Sequence, residues 1–258
     1  MTLTNIDPTS SDPAAWTASL TESTLAQVAL QPHGWALFFD FDGTLIDLAP
    51  KPDAVIVPRG LRAALIALHQ RHSGAMAIIT GRSCDFVQQR LQAPQIPVIG
   101  LHGAQGLGEP LPQLSPALKQ TVALAAARCG LIYEDKGSAI ALHYRLMPEA
   151  APKARALMQE TAHLAGPDYR LREGKCVFEL TPATADKGKA LRSLMAAAPY
   201  HGRRPLALGD DITDEAMFGA ANGLGGIGLR IGARAHPTQA RLSLPSPKAL
   251  RAWIDRSI

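Results

Sequence analysis

The 258 residues are 47% hydrophobic, which supports one large domain or two modest ones, and no apolar run approaches the ~20 residues that cross a bilayer. Three cysteines, Cys84, Cys129 and Cys176, lie far apart and form no Cys-x-x-Cys pair, so zinc and redox motifs are unsupported. The net charge of +4 comes from scattered basic residues with 5% aromatics, which argues against a nucleic-acid platform and suits a small anionic ligand.

Residues 1–30 are rich in Thr, Ser, Asp and Pro and read as a loose arm with one short helix over 14–28. Asp7, Asp12 and Glu22, with no basic cluster before an apolar run, do not make a secretory signal, so a soluble cytoplasmic protein is expected. From Trp35 the pattern changes. Trp35 to Phe39 is a continuous apolar run ending in Asp40, as for a strand buried on both faces. A helical period follows over 59–72, then a second buried strand over 75–80, a helix over 83–91 and a short strand over 97–100. This alternation predicts a parallel sheet with helices on its faces.

After Gly108 the rhythm becomes helix (117–128), hairpin (131–135 and 138–145), helix (149–164), hairpin (169–172 and 175–180). The second hairpin is expected to turn at Glu173-Gly174. A small antiparallel sheet covered on one face is the simplest packing for such a run, and it marks a separate inserted module. From Lys187 the first rhythm resumes, with a helix over 187–197, a strand over 205–209, a helix over 214–221, a strand over 226–231 and a last helix over 247–258. The predicted organisation is an arm over 1–30, a core over 31–106 and 183–258, and an insert over 107–182.

Chemistry-bearing residues sit where the apolar strands end, the edge at which open α/β sheets bind ligands. Asp40 and Asp42, followed by Gly43 and Thr44, place two carboxylates at a buried strand tip. Unpaired buried charge is costly, so a cation is the natural compensation, and hard oxygen ligands favour Mg²⁺. Thr80, Gly81 and Arg82 follow the second strand. Lys187 opens a helix, an unfavourable place for a cation unless an anion is near. Asp210, Asp211 and Asp214 crowd the end of a later strand.

In this order the four sites resemble the haloacid dehalogenase superfamily of phosphotransferases. Gly100 to Ala104, Glu134 to Arg145, Gly174 to Leu180 and Gly209 to Phe218 are similar to the trehalose-6-phosphate phosphatases. The family often has glutamate where this chain has Gln105, to which no role is assigned. The resemblance implies a Rossmann-like parallel-sheet core of the haloacid dehalogenase type with an inserted α+β cap domain. It implies that Asp40 attacks phosphorus, that Asp42 protonates the leaving oxygen and then activates water, and that Thr80 and Lys187 hold phosphoryl oxygens. Mg²⁺ would lie on Asp40, Asp210 and the Asp42 carbonyl, with Asp211 and Asp214 steering it and Lys187 from behind. Glu134, Lys136, Arg145, Lys175 and Glu179 of the cap, with Arg82 at the mouth, would bind the sugar. Gly106–Gly108 and Thr181–Thr184 are the expected hinges, and His143 is expected to be structural.

The expected activity is hydrolysis of trehalose 6-phosphate, by a monomer whose partner is a phosphorylated disaccharide rather than nucleic acid or a membrane. Another sugar phosphate, such as sucrose phosphate, would leave the core reading intact. A dinucleotide-binding module, suggested by Gly223, Gly225 and Gly228, has the wrong context: the glycines follow a helix and precede a strand.

Overall fold

Strands buried on both faces need helices above and below, and the chain supplies them in order. The computed structural model describes residues 13–233 and 236–258. Helix α1 (Pro13–Leu30) precedes β1 (Trp35–Phe39), α2 (Leu61–Arg71), β2 (Met76–Ile79), α3 (Cys84–Leu91) and β3 (Val98–Ile99). The insert follows as α4 (Pro116–Arg128), β4 (Ile132–Asp135), β5 (Ile140–His143), α5 (Ala151–Ala165), β6 (Tyr169–Gly174) and β7 (Val177–Pro182). The chain then returns through α6 (Lys187–Met195), β8 (Arg204–Gly209), α7 (Glu215–Gly223), β9 (Ile227–Ile231), β10 (Leu242–Leu244) and α8 (Pro247–Arg256).

Six strands form a parallel sheet in the order β10-β9-β8-β1-β2-β3, with β1 inside it. Alternation divides the core in two. Leu37, Phe39, Ile78, Leu206 and Leu208 face α1, α2, α3 and α8, whereas Ala36, Phe38, Ala77, Ile79 and Ala207 face α6 and α7. The helix expected over 14–28 runs over Pro13–Leu30, and instead of lying loose it buries Leu25 and Val28 in the first of these cores. Residues 1–12 lie outside the described residues. Strand β10 is short and half-polar, with Ser243 exposed, and so escaped the search for apolar runs.

The insert is a four-stranded antiparallel sheet, β4-β5-β7-β6. Ile140, Leu142, Phe178 and Leu180 pack with α4 and α5. The opposite face carries Glu134, Ala141 and Glu179 in one rung of the ladder. The turn of the second hairpin differs from expectation. Gly174 pairs with Val177 as the last rung, and Lys175-Cys176 makes the turn, with Cys176 at φ 60°. This register sets Leu171 opposite Leu180 and Arg172 opposite Glu179, pairing like with like and charge with countercharge. A turn two residues earlier would lose both pairs.

Helices α6 and α7 approach closely through glycine. A Cβ on Gly188 would lie 2.4 Å from the Ala216 carbonyl oxygen and 3.1 Å from Asp186 Oδ1. Gly188→Ala is therefore expected to push α6 off α7 and lose about 1–3 kcal/mol of stability, read as a lower urea midpoint at an unchanged m-value. An unchanged midpoint would show that the two helices do not meet here.

Candidate active site

The carboxyl ends of β1 and β8 lie side by side, and each strand delivers acid there. Asp40 is still held by the sheet, its N–H donating to the Leu208 carbonyl at 2.8 Å. Gly43 turns the chain at φ 81°, and a Cβ there would lie 2.5 Å from the Asp210 carboxylate. On the other strand, a Cβ on Gly209 would lie 2.3 Å from Asp214 Cγ. Glycine at these two positions lets three carboxylates converge: oxygens of Asp40, Asp210 and Asp214 lie within 4.8 Å of one another.

One ammonium group sits among them. Lys187, at the first residue of α6, donates to Asp40 Oδ1 and to Asp214 Oδ1, both at 2.6 Å. It is 3% exposed, so neither charge is screened by water. Burial would lower the Lys187 pKa, but Asp214 and Asp40 outweigh it and hold the group above its ordinary value. Burial lifts Asp40 well above the ordinary carboxylate range, with Lys187 offsetting part of the rise and Asp214 and Asp210 adding to it. Burial likewise pushes Asp210 up to about 6. The cluster is short of positive charge.

That shortage tests whether a divalent cation suits the residues. Asp214 accepts from Lys187 on one oxygen and from the Asp210 and Asp211 N–H groups, at 2.9 and 3.0 Å, on the other. Its oxygens are committed to holding the loop. Asp40 Oδ2 and Asp210 Oδ1 have no donor among the described residues. Buried carboxylates of Asp40 and Asp210 that lie close together, with their charges incompletely neutralised, fit a hard divalent cation. The Asp42 side chain is not among them: both of its oxygens take hydrogen bonds from Arg82, at 2.8 and 2.9 Å.

Across the cleft stands the polar face of the inserted sheet. Glu179 is 6% exposed and accepts from Lys136 Nζ at 2.6 Å and from His102 Nε2 at 2.8 Å. Burial would raise the Glu179 pKa, but Lys136 and His102 hold it far below the usual range. Burial lowers the His102 pKa, and Glu179 offsets part of that. Glu134 accepts from Arg82 Nη1 at 3.2 Å and bonds His143 Nε2 at 2.8 Å. Burial opposes its ionisation, and Lys136, His143 and Arg82 together still lower its pKa. Lys175, placed at the hairpin tip by the observed turn, reaches Asp210 Oδ2 at 2.8 Å. Arg145 donates to the Lys175 carbonyl at 3.2 Å.

All the residues singled out from sequence line this one cleft except Asp214, which lies beneath it, fully buried. Thr80 lines its floor, and Asp211 its rim beside Lys175, 3.9 Å away. The sequence reading missed His102; His143, expected to be structural, bonds Glu134 in the cleft wall. The sign for His102 was its place between Leu101 and Gly103 in a short turn, where its own φ is 56°. The Leu48–Pro52 segment, also unassigned, closes the third side. Gln105 acts locally, its Oε1 accepting from the Cys84 N–H at 2.8 Å at the start of α3.

Comparison with known proteins gives the family. The trehalose-phosphatase family model matches residues 38–248. A probable trehalose-phosphate phosphatase of Sinorhizobium fredii is 42% identical over 246 residues, covering 92% of each chain. The trehalose-6-phosphate phosphatase of Escherichia coli is 35% identical over 230 residues, covering 86% of this chain and 85% of its own. The C-terminal domain of the Candida albicans trehalose-6-phosphate phosphatase shares the fold, with a TM-score of 0.74 at 20% identity, covering 91% of this chain and 95% of that one. The chain belongs to the trehalose-phosphatase family.

The raised pKa of Asp210 has a consequence for stability. A carboxyl group that binds its proton more tightly when folded stabilises the fold below its unfolded pKa. That contribution is lost as pH rises through the folded value. In the absence of divalent cations, Asp210→Asn is therefore expected to match the wild type near pH 4. By pH 7.5 it should be more stable by about 3 kcal/mol, at about 1.4 kcal/mol per pKa unit. Urea titrations at the two pH values check it, and a pH-independent difference would mean that Asp210 titrates normally.

Proposed function

We propose that this enzyme hydrolyses trehalose 6-phosphate to trehalose and inorganic phosphate through an aspartyl-phosphate on Asp40. The observation that carries the reading is one cleft with two unlike walls, a buried carboxylate–lysine cluster on the sheet side and a set of charged hydrogen-bonding groups on the insert. The first suits phosphoryl transfer, and the second suits a ligand with many hydroxyls.

Lys187 fixes the Asp40 carboxylate through a hydrogen bond to Oδ1, and that carboxylate attacks phosphorus. As the new P–O bond forms, the bond from phosphorus to the sugar oxygen breaks, and Asp42 gives that oxygen its proton. Water then attacks the same phosphorus and loses a proton to Asp42. The acyl-phosphate bond breaks, and Asp40 is restored. Thr80 and Lys187 bind the phosphoryl oxygens, whose negative charge shifts as bonds change. Asp40, Asp210 and the Asp42 carbonyl would hold Mg²⁺, which supplies the positive charge that lets a carboxylate meet a phosphate dianion. Asp214 keeps the Asp210–Asp211 loop and Lys187 in place through the bonds described above.

Residues 107–182 act as a cap that selects the sugar, pivoting at Gly106–Gly108 and Thr181–Thr184. Glu134, Lys136, Lys175 and Glu179 turn toward the cleft, and Arg145 lies at its edge. Charged side chains already paired with one another are pre-aimed, so hydroxyls that replace those pairings meet fixed partners. Among the described residues no helix is long and apolar enough to cross a membrane.

The test is phosphate release from trehalose 6-phosphate, sucrose 6-phosphate and glucose 6-phosphate, with Mg²⁺ and with chelator. Turnover is expected to favour the trehalose ester, to need Mg²⁺ and to fall to background in Asp40→Asn. Preference for another ester would move the cap assignment and leave the core mechanism standing. No turnover of any ester by folded, metal-loaded protein would sink both.

A further inference from the structure

Arg82 makes contacts that the scheme above does not use. Its Nε and Nη2 donate to the two oxygens of Asp42, at 2.8 and 2.9 Å, a two-pronged bond that fixes the plane of the carboxylate as well as its position. Its Nη1 donates to Glu134 Oε1 of the insert at 3.2 Å. The guanidinium lies over the Phe86 ring, 4.5 Å from its centroid, so α3 sets the plane of the fork. The Arg82 N–H donates to Thr80 Oγ1 at 3.2 Å, which ties its backbone to the end of β2. The Asp42 side chain is 22% exposed, and the guanidinium is what holds its direction at the mouth of the cleft.

We infer that Arg82 is a positioning residue for departure of the leaving group: it aims Asp42, and it links that aim to Glu134 on the cap. The inference rests on the acid role proposed for Asp42. A sugar hydroxyl that engages Glu134 competes with Arg82 Nη1, so sugar binding and the orientation of Asp42 are felt through one planar group. Lysine cannot replace it, because an ammonium makes no planar fork and does not stack on Phe86 in the same way.

The experiment compares kcat/KM for trehalose 6-phosphate with kcat/KM for the analogue in which sulfur replaces the bridging oxygen. A thiolate leaves without being protonated, so the analogue keeps every sugar contact and does not need the acid. The ratio of the two values is also independent of the fraction of folded enzyme. In Arg82→Gln and Arg82→Lys the ratio of sulfur to oxygen substrate is expected to rise at least about tenfold over the wild type, within the 10²–10⁴ that general acids contribute. Asp42→Asn should raise it as much or more. A ratio that stays at the wild-type value in Arg82→Gln, while Asp42→Asn raises it, would overturn the inference and leave Arg82 as a sugar contact. Recovery of the wild-type ratio by Arg82→Lys would overturn the fork in favour of charge alone. An unchanged ratio in Asp42→Asn would instead remove the acid role of Asp42, and failure to turn over the trehalose ester at all would remove the substrate.

Discussion

Everything at this site depends on one buried ammonium group. Lys187 and Asp40 are 147 residues apart in sequence, yet Nζ and Oδ1 meet at 2.6 Å with almost no water present. Desolvating a lysine is expensive, and so is desolvating each carboxylate; the arrangement holds because each offsets the other. The surrounding structure follows from that meeting. Asp40 must end a strand inside the sheet, Lys187 must begin the helix that returns from the insert, and Asp214 must sit one turn beyond Asp210 to take the second hydrogen bond. Glycine at 43, 188 and 209 is then required by space, since a Cβ at each would strike Asp210, Ala216 or Asp214.

One ammonium does not neutralise three carboxylates, and the remainder is what equips the site. Asp40 and Asp210 both hold their protons more tightly than ordinary acids. The groups a phosphoryl-transfer site needs are thus kept close together at an electrostatic penalty that a divalent cation relieves. Lys175 from the insert meets part of that demand in this structure by reaching Asp210. The penalty is located, and it lies where the chemistry does.

Much of this was legible because buried strands announce themselves. Trp35–Phe39 and Arg204–Gly209 could hardly be anything but interior strands, and acids directly after them have few bland explanations. The insert's alternation was legible for the same reason: Ile140, Leu142, Phe178 and Leu180 mark one face, and Glu179 stands between two of them on the other. What escaped was set by pairing across the chain rather than by local pattern. Gly174 looked like the turn, yet the register of Leu171 with Leu180 carried it into the strand and moved Lys175 to the tip. His102 reads as an ordinary polar residue until folding brings Glu179 to it from 77 positions away. Arg82 stood out in sequence as a residue of the mouth, but nothing local showed that its donors would be divided between Asp42 and Glu134.

The side-chain hydrogen bonds that cross the cleft bear on how it works. Arg82 with Glu134, His102 with Glu179, Lys136 with the Gly81 carbonyl and Lys175 with Asp210 are all polar. The large apolar cores of the parallel sheet and of the insert are separate clusters, and only a small one, of Leu101, Ala104, Ala139 and Ala185, joins the two sides among the described residues. Opening such an interface exposes little hydrocarbon and hands charged groups back to water, so it is far easier than splitting a core. The same groups are those a phosphorylated sugar would address. Under the proposed function a substrate would replace existing bonds instead of adding to a bare surface, its hydroxyls taking the places of side chains. On that proposal selectivity would come from geometry: a sugar that matches all the pre-aimed partners restores every bond it displaces, and one that misses a partner leaves a buried charge unpaired, the costlier outcome.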